Sequence, residues 1–68
     1  MTVGSQLKQT LAGLRGARST MRVYANLARQ EEAKTAYGEA LQEMDSIISA
    51  LEERLGAVEY GEPQYKGY

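Results

Sequence analysis

The chain contains no cysteine and no histidine among its 68 residues. Without cysteine there is no disulfide and no thiolate zinc site. Without histidine the commonest metal ligand and general base is missing as well. Long apolar runs are also absent, since the longest uncharged apolar cluster is IISAL. That falls far short of the roughly 20 apolar residues a membrane span needs. The opening MTVGSQ lacks the basic-then-apolar order of a signal peptide. Together these absences predict a cytoplasmic protein with no membrane insertion, no metal and no cofactor. Proline occurs once, at Pro63.

A chain of this length makes one small domain. It buries only about 60% of its unfolded surface, and its single core supplies no more than about 3–5 kcal/mol. With disulfides and metals excluded, self-association is the remaining route to stability.

Charge is divided along the chain. Residues 1–30 carry five cations (Lys8, Arg15, Arg18, Arg22, Arg29) and no acid, whereas residues 31–68 carry nine acids against Lys34, Arg54 and Lys66. The halves are therefore +5 and -6 within a net charge of -1. Such a division suits either a nucleic-acid face on the first half or two halves that pair with each other.

What is present is helical periodicity. Leu7, Leu14, Met21 and Ala28 recur every seventh residue, accompanied by Leu11, Ala17, Tyr24 and Ala25. A second series runs through Tyr37, Met44, Leu51 and Val58, accompanied by Ala33, Ala40, Leu41, Ile47, Ile48 and Leu55. Each set fills one broad stripe of an amphipathic helix. The series are out of phase by two residues, about 200° of rotation, so one unbroken helix would show its stripes on opposite sides. Folding back lets them face each other. The spacing predicts a helix over about 3–28, a tight turn at about 29–31, a second helix over about 32–60 and an extended tail at 61–68. Arg29 suits a helix C-terminus, and Glu31 and Glu32 suit a first turn.

In the resulting antiparallel hairpin Tyr24 is expected to meet Tyr37, Met21 to meet Ala40, Ala17 to meet Met44 and Leu14 to meet Ile47. The flanks are expected to pair Arg29 with Glu31, Arg22 with Glu39, Arg15 with Asp45 and Lys8 with Glu52. Exposed pairs contribute only about 0–1 kcal/mol each, so their role is to select the register. Gly13 and Gly16 each cost about 1 kcal/mol against alanine in a helix interior, through either a kink or a close helix crossing.

Two helices about 38 Å long cannot enclose a core. A stripe of three positions per seven residues is also wider than a two-stranded seam. The expected fold is all-α, a hairpin that dimerises into a four-helix bundle. Its core and subunit interface draw on Leu7, Leu11, Leu14, Met21, Tyr24, Tyr37, Leu41, Met44, Ile47, Ile48, Leu51 and Leu55.

Catalytic readings fail on composition. Ser5, Ser19, Ser46 and Ser49 have no histidine to act as base, and no glycine-rich loop follows a strand. A di-iron bundle site needs Glu-x-x-His pairs that cannot be written without histidine. The EEAK and LEER strings are helix charge pairs. A non-enzymatic interaction or structural module is therefore expected. The alternative is a nucleic-acid-binding module using Lys8, Arg15, Arg22 and Arg29 along one flank, disfavoured by the acids placed to neutralise them.

The opening MTVGSQLKQTLAGLRGA, the middle EEAKTAYGEA and the closing EPQYKGY resemble a small family of endospore-forming bacteria, catalogued as a domain of unknown function. The resemblance covers essentially the whole chain. It implies a sporulation or spore-membrane context, in the forespore or peripheral to the spore membrane. Members are often encoded beside the stage V sporulation channel proteins that move dipicolinic acid, which implies a membrane-protein partner. No catalytic residue is implied. The arginine-rich first helix departs from the family pattern. In the tail, Gly61 can end the second helix and Pro63 prevents its resumption. Tyr65 could then pack back as a strap, or Pro63, Tyr65 and Tyr68 could dock on a partner.

Overall fold

In the computed structural model, which describes residues 2–61, two antiparallel helices pack side by side. Helix α1 spans Val3–Leu27 and α2 spans Glu31–Gly61. Both ends of α1 and the start of α2 have local causes. The Thr2 side-chain oxygen caps α1 by accepting from the Ser5 amide at 3.0 Å, which satisfies one of the first-turn donors. At the other end Ala28 turns extended (φ -64°, ψ 135°), while its N–H still donates to the Tyr24 and Ala25 carbonyls. Gln30 then opens α2, its carbonyl accepting from Lys34 N at 3.0 Å. Glu31 and Glu32 fill the first turn of α2, where the helix dipole favours anions. The connection is thus Ala28–Gln30, about one residue earlier than the phase jump alone suggests. Helix α2 continues to Gly61, where the described residues end, and α1 runs unbroken through Gly13 and Gly16.

The seam follows a strict seven-residue rule. On α1 the inward positions are Gly4, Leu7, Leu11, Leu14, Arg18, Met21, Ala25 and Ala28. On α2 the central ones are Tyr37, Leu41, Met44, Ile48, Leu51, Leu55 and Val58. Two positions per seven is the width of a two-stranded coiled coil. Among the described residues only Leu11 (1% exposed) and Ile48 (3%) are fully buried apolar side chains. Gly4 lies against Val58, since a Cβ there would stand in ordinary van der Waals contact, 3.8 Å, with Val58 Cγ1. Counting along both helices from that contact sets Leu14 level with Ile48 and Met21 level with Leu41. The expected layers of Leu14 with Ile47 and Met21 with Ala40 lie within one position of that register. Tyr24 and Ala17, expected to meet Tyr37 and Met44 inside the seam, are exposed, Tyr24 at 53%. Two helices can cover only two of the three stripe positions, and the third is left on the flank.

The molecule is accordingly a rod of 51 × 17 × 15 Å with a radius of gyration of 15.5 Å. A compact domain of this length would have a radius near about 11 Å.

Candidate interaction surfaces

The hairpin has two unlike edges. One carries the ion pairs. Lys8 Nζ lies 2.9 Å from Glu59 Oε2, Arg15 pairs with Glu52, and Arg18 Nη1 donates to Asp45 Oδ1 at 3.0 Å. Lys34 adds a local pair with Glu31 at 3.6 Å. The expected partners were Glu52 for Lys8 and Asp45 for Arg15, and both are corrected by nearly two helical turns.

Side-chain direction explains the correction. Side chains on a helix lean toward its N-terminus. In an antiparallel pair the two side chains therefore lean toward each other only when each Cα is displaced toward its own C-terminal end. Glu52 lies five positions beyond Ile47, the residue level with Arg15, an axial offset of about 7.5 Å. Lys8 and Glu59 repeat the same offset one heptad away. Among the described residues Arg22 and Arg29 form no ion pair, so the expected Arg22–Glu39 and Arg29–Glu31 pairs are not made.

Arg18 was not among the expected seam or site residues. It occupies a seam position with its side chain 29% exposed. Its aliphatic stem lies along the seam while the guanidinium emerges at Asp45. Gly4 was missed as well. The signal for both was spacing: Gly4, Leu11, Arg18 and Ala25 are a seven-residue series, hidden because only one member is a large apolar residue.

The opposite edge is uncharged on α1. The positions about 100° round from the seam are Thr10, Gly13, Ala17, Thr20, Tyr24 and Leu27, with Gly16 and Val23 just behind. None is charged, although a quarter of the chain is. Large apolar groups stand in the open here: Val23 is 55% exposed, Tyr24 53% and Leu27 70%. On the adjoining flank of α2, Ile47 is 50% exposed beside Ala33, Ala36 and Ala40, and the same series continue to the charged Glu43 and Arg54. Both threonine hydroxyls on the α1 face are used within the helix, Thr10 donating to Gln6 O at 3.0 Å and Thr20 to Gly16 O at 3.2 Å.

Of the residues expected at the core or interface, Leu11 and Ile48 are buried, while Leu7, Leu14, Met21, Tyr37, Leu41, Met44, Leu51 and Leu55 are half-buried. Tyr24 and Ile47 lie on the uncharged edge. Pro63, Tyr65 and Tyr68 lie outside the described residues. Among those described, no three acidic side chains converge as metal ligands would. No helix among them is long and apolar enough to cross a membrane.

These features define an antiparallel α-helical hairpin with one ion-paired edge and one apolar edge. Its sequence places it in a family: residues 7–55 match the profile described as "Protein of unknown function (DUF1657)", and the chain belongs to that family. No curated protein and no solved structure matches it.

Proposed function

We propose that the protein is a non-enzymatic interaction module that works as a homo-oligomer, a pair of hairpins forming a four-helix bundle. The observation that carries this reading is the third stripe position. Among the described residues the hairpin fully buries no large apolar side chain but Leu11 and Ile48 and leaves Tyr24 and Ile47 half in water, on the long edge where α1 carries no charge. A two-helix rod with so little core has a fold that depends on covering that edge. The resemblance to a spore-former family supports a role at the spore membrane beside a membrane-protein partner, with the bundle as the soluble element.

The nucleic-acid reading loses support from the ion pairs. Of Lys8, Arg15, Arg22 and Arg29, the first two are engaged by Glu59 and Glu52, so a phosphate backbone tracking that flank would have to displace carboxylates already in place at half of its contacts.

Mass action supplies the test. A protein whose native state is an oligomer melts at a temperature that rises with protein concentration. Thermal unfolding across a hundredfold dilution series should show such a rise. A melting temperature independent of concentration would remove the homo-oligomer reading.

A further inference from the structure

Between Gly13 and Leu27 the uncharged face of α1 is not uniform, passing from small residues to large ones. Gly13, Gly16 and Ala17 precede Thr20, and Val23, Tyr24 and Leu27 follow it. A Cβ built at Gly13 or Gly16 would meet nothing within 4 Å. The hairpin itself thus has no use for either glycine, although each weakens the helix by about 1 kcal/mol relative to alanine.

We infer that this face is the contact between two copies of the chain, packed α1 against α1 in antiparallel sense about a two-fold axis at Thr20. The inference rests on the homo-oligomer reading above and specifies its geometry. Rotation about Thr20 sets Leu27 of each copy over Gly13 of the other, and Tyr24 over Gly16 and Ala17. Large side chains then meet spaces where glycine leaves no Cβ, as an isologous interface requires. Thr20 can stand on the axis because its hydroxyl already donates to Gly16 O, leaving its methyl group to face its counterpart.

The second helix supplies an independent match. The Gly4–Val58 contact sets Thr20 level with Gln42. The same two-fold axis therefore brings Ile47 of one copy near Ala36 of the other, again large against small. Charge favours a second copy over a foreign partner. A charged surface would lose hydration against the α1 part of this face with no counter-ion to meet, whereas a second α1 presents the same uncharged residues; Glu43 and Arg54 lie on the α2 part. Area is sufficient too. The covered side is about 37 Å long on α1 and 17 Å wide, on the order of 600 Å² per copy, near the roughly 800 Å² per partner of a standard interface.

The absence of native cysteine permits a direct test on the full chain. Thr20→Cys should convert most of the protein to a covalent dimer under mild oxidation, since a disulfide requires Cα atoms within about 7 Å. Ser46→Cys, on the outer face of α2, should remain largely uncoupled at the same concentration. Gly16→Leu should abolish the dimer in sedimentation while keeping the helical circular-dichroism signal, because leucine is the better helix former and has open space in the hairpin. A wild-type dimer in which Thr20→Cys couples no faster than Ser46→Cys would overturn this packing and leave the homo-oligomer reading standing. A Gly16→Leu variant that stays dimeric would also overturn it. A monomeric wild-type chain would overturn both.

Discussion

Leu11 and Ile48 show how little each residue has to lean on. They are the two apolar side chains taken fully out of water, and truncating either leaves a cavity in a seam with few other contacts. Leu11→Ala should cost about 2–5 kcal/mol, comparable with the whole stability available to a chain of this size. The variant should lose most of its helical circular dichroism at room temperature; a melting curve like the wild type's would mean the seam is not where stability resides. Gly56 is the reverse case. It lies exposed within α2 with nothing within 4 Å of its absent Cβ, so alanine gains helix propensity without a clash. Gly56→Ala should stabilise the protein by up to about 1 kcal/mol and raise the melting temperature by about 4–8 °C. A fall would show that something approaches that position closely.

At the scale of the two helices, the ion pairs fix the register more than they stabilise it. Arg15 and Glu52 are both about half exposed, and such pairs contribute about 0.2–1 kcal/mol. A double-mutant cycle on Arg15→Ala and Glu52→Ala should return a coupling of that size, and the cycle with Asp45→Ala should return none. Coupling to Asp45 instead would mean the helices sit in another register. This is also where the sequence was partly legible. The two amphipathic stripes, their phase jump and the fold-back were readable because Leu, Met and Ile recur at a helical period that only a hairpin can reconcile. The charged edge was recognisable as an edge, yet its partners were misread by nearly two turns. Residue numbering carries no record of the direction in which a side chain leans. Gly4 and Arg18 escaped notice for a different reason, since a seam position held by glycine or by an arginine stem has no apolar signature.

For the whole molecule, the decisive fact is that a seam two positions wide was built from stripes three positions wide. Tyr24 and Ile47, expected inside, lie at the edge of a single hairpin, and their legibility as interface residues depends on a second copy. Removing one therefore has a different consequence in each case. In a lone hairpin Tyr24→Ser deletes a half-exposed ring and costs little. In a dimer it removes a ring from each side of the interface and weakens association at least tenfold, which a dilution series of the variant would register. The most direct measurement is sedimentation equilibrium of the intact chain, with circular dichroism recorded on the same samples. The account predicts a helical species of about 15 kDa, twice the 7.5 kDa of one chain, whose helicity falls as dilution dissociates it. A fully helical species of 7.5 kDa at every concentration would contradict it.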